Sequence, residues 1–219
     1  MAPLICLVTD RHRLAPRENP EAQLDKLVAQ AAEAGRAGVD LIQLRERDLD
    51  GGVLTRLARR MIDAATPAKV IINDRADVAL AAGAHGTHLR GDSFDAVRLR
   101  RIAPCGWVIG TSVHTLAEVT ASMGAVDYLI FGPVYPTASK PGATPAGVAE
   151  LKKVAAAADG PVLAIGGITL SRIAEIAAAG AAGVAGIELF LPPTREFPER
   201  PGAGAAVRAI RAAFGTVFD

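Results

Sequence analysis

The chain has 219 residues, half of them hydrophobic and 4% aromatic, with 24 Lys and Arg against 23 Asp and Glu for a formal net charge of +1. The length admits one large domain or two small ones, and the apolar fraction is ample for a sizeable core. A near-neutral balance with no basic stripe alternating with aromatics argues against a nucleic-acid partner, no apolar stretch reaches membrane-spanning length, and Cys6 and Cys105 fit no metal spacing.

The opening run MAPLICLVTDRHR lacks a basic leader and a long apolar core, so it does not read as a signal peptide, and the expectation is a soluble, reduced, cytoplasmic protein. Cys6, inside an apolar run, reads as a small buried hydrophobe. Short aliphatic runs then alternate with alanine-rich stretches. The runs are LICLVTD (4–10), LIQLRE (41–46), KVIIND (69–74), GTHLR (86–90), VIGTS (108–112), DYLIFGP (127–133), VLAIGGI (162–168) and GVAGIEL (183–189). Each has strand length, and they are nearly continuously apolar, as parallel strands covered on both faces are. Helices are expected near 22–37, 51–65, 75–83, 94–103, 115–123, 146–158, 171–179 and 203–214, with Ser93, Thr115 and Ser171 as capping residues.

Eight strand–helix units of about 27 residues each predict a compact (β/α)8 TIM barrel, a single domain over 1–219. The rival, a doubly wound open sheet, more often has five or six units, and no G-x-G-x-x-G follows the first strand. The proline-rich segment 192–202 reads as a surface loop or lid.

Chemistry in such a barrel gathers at the carboxyl ends of the strands. Asp10 and Arg11 end the first run. Gln43, Arg45 and Arg47 end the second at a spacing of two, so alternation points Gln43 and Arg45 together into the barrel mouth, as ligand-binding groups or as a structural pair. Asn73 and Asp74 end the third, Asp74 suiting either a magnesium ion or a helix N-cap. Arg90 and Asp92 follow the fourth, Ser112 and His114 the fifth. His114 alone among these has an ordinary pKa suited to proton transfer near neutrality, although a lone His is often structural. His88 reads as a core or supporting residue, and His12 and His85 as loop residues. Gly166 and Gly167 let backbone approach a phosphate, while Glu188 is awkward there unless it points away or is paired.

The segments QLRER (43–47), INDRADVAL (72–80), HL (88–89), SVHT (112–115), DYLIFGPVYPTASK (127–140) and AIGGIT (164–169) resemble the thiamine-phosphate synthase/TenI superfamily in order and spacing over nearly the whole chain. The resemblance implies an eight-fold barrel and one of two activities. A synthase joins a pyrimidine diphosphate to a thiazole phosphate with magnesium, releasing diphosphate. A TenI-type tautomerase aromatises the thiazole phosphate carboxylate by a proton shift without metal. Carried over by motif, Gln43, Arg45, Asn73 and Lys140 would hold the pyrimidine or its diphosphate. Asp74 and Asp92 would bind Mg2+, if the chain is a synthase. Thr137 and Ser139 would touch the thiazole carboxylate, and Gly167 the phosphate. The proline-rich stretch 131–142 would then be a substrate clamp.

Three departures cut against the synthase: Arg47 stands where synthases have Lys, Ser93 where the second magnesium Asp falls, and Glu188 where a phosphate-loop Ser does; the first two resemble the TenI branch, the tautomerase, which is the favoured reading. In that reading His114 moves the proton and no cofactor is needed. The synthase is the alternative, and a non-catalytic binder of a thiazole-like ligand a third. The expected partner is a phosphorylated thiazole, with no nucleic acid and no membrane, and barrels of this kind often pair as homo-oligomers.

Overall fold

A computed structural model describes residues 2–91, 93–122, 124–137, 139, 142 and 144–215. Asp92 and Lys140, two of the expected site residues, lie outside the described residues.

The first strand, β1 (Leu4–Val8), shows how alternation builds the barrel. Cys6 and Val8 face the interior, while Ile5 and Leu7 pack outward under the helices. The sheet continues through β2 (Leu41–Leu44), β3 (Lys69–Asn73), β4 (Gly86–Leu89), β5 (Val108–Val113), β6 (Tyr128–Phe131), β7 (Val162–Ala164) and β8 (Gly183–Gly186). Every neighbouring pair is parallel, and β8 pairs back onto β1 with Cys6 opposite Ala185, closing the expected eight-stranded barrel. Burial raises the Cys6 thiol to about 12, so it is an inert hydrophobe.

The helices are α1 (Arg11–Leu14), α2 (Pro20–Ala37), α3 (Gly51–Ala64), α4 (Ala76–Ala82), α5 (Ala96–Arg100), α6 (Leu116–Ser122), α7 (Val148–Ala157), α8 (Ile173–Ala178) and α9 (Gly202–Gly215). Local chemistry sets several of their ends. Asn19 accepts from the Ala22 amide and Pro20 fills the first position of α2, while Asp50 accepts from the Gly52 and Val53 amides at the start of α3. Fully buried Leu27, Leu57, Met61 and Phe214 fill the layer between helices and sheet, each contributing about 1.5–3 kcal/mol by leaving water.

Four local expectations are corrected. Thr115 caps α6 through its Oγ1, which accepts from the Glu118 amide, but the cap of α5 is Asp95 rather than Ser93, because its carboxylate reaches the Val97 and Arg98 amides. Ser171 lies inside a 3-10 turn, Leu170–Arg172, with its hydroxyl bonded to that of Thr169. Asp74 caps nothing: Arg75 precedes α4 and gives no side-chain cap bond. His12 sits on α1 rather than in a loop, 3.3 Å from Asp48. Segment 192–202 is irregular, as expected, and leads directly into α9. Among the described residues no helix is long and apolar enough to cross a membrane.

Candidate active site

The alternation that makes the barrel core apolar turns polar near its carboxyl end. Gln43 on β2, Asn73 on β3, His88 on β4 and Ser112 within β5 occupy inward positions. Gln43 is 3% exposed, and its Nε2 donates to Oδ1 of the half-buried Asn73 at 2.9 Å. His88 bridges the Tyr128 hydroxyl (3.0 Å from Nδ1) and the Ser112 hydroxyl (2.9 Å from Nε2). Burial, then the nearby Arg45 guanidinium, push the His88 pKa down to about 3, so this imidazole is neutral at ordinary pH. Arg45 itself is half-buried, its pKa lowered by burial and by Arg47 alongside, which is exposed. A desolvated cation over this polar layer is a receptor for an anion.

Asp74 is the one described non-glycine residue with positive φ, at 60°. This left-handed backbone is tolerated best by Gly, Asn and Asp. Its Oδ1 accepts from the Ser93 hydroxyl, and its Oδ2 lies 3.1 Å from Arg90 Nε. Among the described residues no cluster of three or more His, Cys, Asp or Glu is placed for a metal. Magnesium needs less, usually one or two carboxylates, with waters and substrate phosphates supplying the rest. A carboxylate has about four acceptor positions, so Asp74 keeps capacity beyond Ser93 and Arg90 and its chemistry fits such an ion.

The loops after β5, β6 and β7 are tied together. His114 is exposed, and its Nδ1 lies 2.6 Å from the Gly132 carbonyl, an acceptor only, so Nδ1 is the donor in this bond. The Val134 and Tyr135 amides donate to the Ile165 and Gly166 carbonyls at 2.9 and 3.1 Å. Gly166 and Gly167 have φ of 96° and 62°, and a Cβ on Gly167 would stand 2.4 Å from the Pro136 carbonyl oxygen. These glycines are therefore required first by contact with the proline-rich loop, a reason the sequence expectation of phosphate approach did not contain. Arg172 reinforces the junction, donating to the Gly167 carbonyl at 2.6 Å and stacking 4.2 Å from the Tyr135 ring centroid. The Tyr135 hydroxyl donates to Glu175 at 2.6 Å. Thr137 Oγ1 accepts weakly from the Ser139 backbone amide at 3.4 Å.

Glu188 is paired, as its position requires. Its Oε1 is 2.5 Å from Arg13 Nη1 and its Oε2 is 3.3 Å from Arg200 Nη2. Arg200 also stacks on Phe197 at 4.1 Å, tying the 192–202 segment to the end of β8.

Two functionally placed groups were missed from sequence. Glu46, 4% exposed, accepts from the Thr9 hydroxyl at 2.7 Å and pairs with buried Arg11 at 2.9 Å; burial raises its pKa against those bonds. The signal was its parity: between Arg45 and Arg47, Glu46 has to face the helices, and a carboxylate there needs a cation. Tyr128 was read simply as part of an apolar run. A cleft of about 500 Å3 opens at the opposite, amino-terminal end, lined by Asp40, Lys69, Asp127 and Arg211 among others. Its carboxylates already serve the sheet, Asp40 accepting from the Ile5 amide at 2.8 Å and Asp127 from the Ile109 amide at 2.7 Å. That end reads as stability and the carboxyl end as chemistry.

Against this geometry, residues 5–190 match the family model described as thiamine monophosphate synthase. The chain belongs to the thiamine monophosphate synthase family. A thiamine-phosphate synthase from Methanoculleus marisnigri is 44% identical over 155 residues, covering 69% of this chain and 72% of the relative. One from Anaeromyxobacter dehalogenans is 39% identical over 191 residues, covering 86% of each. The structure of a thiamine phosphate pyrophosphorylase from Pyrococcus furiosus superposes with a TM-score of 0.79 at 26% identity, covering 96% of both chains. For this family member, the relatives' names favour the synthase, the alternative reading of the sequence, over the tautomerase.

Proposed function

We propose that the chain is a thiamine-phosphate synthase: it binds hydroxymethylpyrimidine diphosphate and a thiazole phosphate in the barrel mouth, joins them, and releases diphosphate. The observation that carries this reading is the half-buried Arg45, close enough to His88 to lower its pKa, above the hydrogen-bonded Gln43–Asn73 and His88–Ser112 pairs. A desolvated guanidinium with oriented amide and hydroxyl groups suits an aromatic pyrimidine carrying a polyanion.

In this reading Arg45 and Arg47 take the diphosphate, and Gln43, Asn73 and Ser112 orient the pyrimidine and its leaving group. Asp74, with Asp92 outside the described residues, would hold Mg2+, which would supply charge neutralisation for the departing diphosphate. Thr137 and Ser139 meet the thiazole, the Gly166–Gly167 turn takes the thiazole phosphate, and Lys140, outside the described residues, is assigned by motif to the pyrimidine diphosphate. The bond to the pyrimidine methylene breaks as diphosphate leaves, and the thiazole nitrogen supplies the electron pair for the new bond. Holding both partners in one mouth is the main contribution of the protein.

Incubating the two substrates with Mg2+ should release one diphosphate per thiamine phosphate formed, and a chelator should stop it. No release with any divalent metal rejects the reading. A tautomerase reading keeps one specific support, the exposed His114 imidazole held against the Gly132 carbonyl at the start of the proline-rich loop. Metal-independent aromatisation of the thiazole phosphate carboxylate, lost in His114→Ala, would establish that activity instead.

A further inference from the structure

The barrel interior holds a hydrogen-bonded chain that runs from its floor to its mouth. Tyr128 is 2% exposed and sits among Cys6, Val8, Leu41, Ile71, Leu163 and Ala185, which are apolar in contact. Its ring is accommodated by a glycine across the strand pair: Gly110 is its register partner, and a Cβ there would stand 2.1 Å from the ring. The tyrosine hydroxyl reaches His88 Nδ1, and His88 Nε2 reaches Ser112 Oγ, half-buried at the mouth.

The direction of the protons follows from what surrounds each end. Among the described residues the Tyr128 hydroxyl meets no acceptor other than His88, so its proton goes to Nδ1; the reverse order leaves that proton buried and unpaired. A neutral imidazole that accepts at Nδ1 carries its own proton on Nε2, which then donates to Ser112 Oγ. Ser112, already accepting from below, presents its own O–H upward.

We propose that Tyr128 and His88 are positioning residues that fix the Ser112 hydroxyl as a donor aimed into the mouth, so that the group bound above it is an anionic oxygen acceptor. With Arg45 close by, that acceptor is an oxygen of the diphosphate in the synthase reading, on which this inference rests for its substrate. The chain brings no proton-transfer step of its own; it removes the choice of rotor and tautomer before substrate arrives.

The test has two parts. Long-range nitrogen–proton NMR of the imidazoles in the wild-type protein should show His88 neutral with its proton on Nε2. Tyr128→Phe, which keeps the ring, should lose that single tautomer. Inorganic diphosphate binding by calorimetry should weaken about tenfold in Ser112→Ala, the effect of one oriented hydrogen bond to a charged group. Tyr128→Phe should account for part of the same loss, with the double variant no weaker than Ser112→Ala alone. In turnover, Tyr128→Phe should lower kcat about fivefold to tenfold, and the deficit should likewise vanish in the Ser112→Ala background. A wild-type Nδ1-protonated tautomer, or losses that multiply in the double variant, overturns the inference. If the protein binds diphosphate but couples no substrates, the synthase reading fails while the tautomer and binding results still decide this one.

Discussion

Arg13 Nη1 and Glu188 Oε1 meet at 2.5 Å, joining the helix after β1 to the turn after β8. Arg200 approaches the other oxygen of the same carboxylate at 3.3 Å. Glu188 thus occupies two arginines beside the strands where barrels of this kind seat a phosphate. The Glu188 side chain is 48% exposed, and such pairs contribute only up to about 1 kcal/mol. Glu188→Ser is therefore expected to change the unfolding free energy by less than about 1 kcal/mol. It should lower KM for the phosphorylated thiazole about fivefold, because Arg200 and the Nη1 group of Arg13, whose Nε stays 3.3 Å from Asp10, lose a competing carboxylate. Steady-state kinetics with thiazole phosphate varied checks this; a higher KM in the variant would mean that the carboxylate helps to build the site.

Asp74 separates backbone demand from charge. Its φ of 60° suits Asn as well as Asp, so Asp74→Asn should fold with a melting temperature close to wild type. Diphosphate release at saturating substrates should nevertheless fall about a hundredfold, and added Mg2+ should not restore it. Asp74→Val, which places a β-branched residue in the left-handed region, should cost about 1–2 kcal/mol of stability in addition. Calorimetric unfolding together with a diphosphate-release assay separates the two effects, and equal activity of the Asn variant would remove Asp74 from the site.

The position of the site was legible because it depends on parity and chain order alone. Gln43, Asn73 and Ser112 could be placed at the mouth by counting residues along apolar runs. What could not be read were contacts between distant segments. Whether Glu188 was paired could not be read, because Arg13 lies 175 positions away. Ser93 looked like a cap because a hydroxyl before a helix usually is one, yet its bond goes across to Asp74 on the neighbouring strand end. Tyr128 was hidden by its surroundings: in DYLIF it is one more apolar residue, and only the closed barrel brings His88 to its hydroxyl.

Gly167 tests whether the junction of the β6 and β7 loops supports the clamp. Ala at this position meets both a φ of 62° and a carbonyl oxygen 2.4 Å from its Cβ. Gly167→Ala is expected to destabilise the protein by about 2 kcal/mol or more. It should also raise KM for the thiazole phosphate more than KM for the pyrimidine diphosphate. Denaturant unfolding and separate KM measurements decide; a uniform change in both would place the junction's role in folding alone.

Burial of His88 ties part of the acid stability to this residue. Its folded pKa is about 3 against an ordinary value of 6.5. Between those values the unfolded chain takes up a proton at this position and the folded chain does not. Folding therefore weakens as pH falls through this window and is insensitive to His88 above it. At pH 5 the loss attributable to His88 is about 2 kcal/mol. His88→Gln has no charge to acquire and can still bond to Tyr128 and Ser112, so it should be less stable than wild type at pH 7.5 yet lose less on acidification. Urea unfolding of both proteins at pH 7.5 and pH 5 measures the difference between the two losses. The same loss in both would mean that His88 accepts a proton within the folded barrel, and the neutral bridge between Tyr128 and Ser112 would not survive that result.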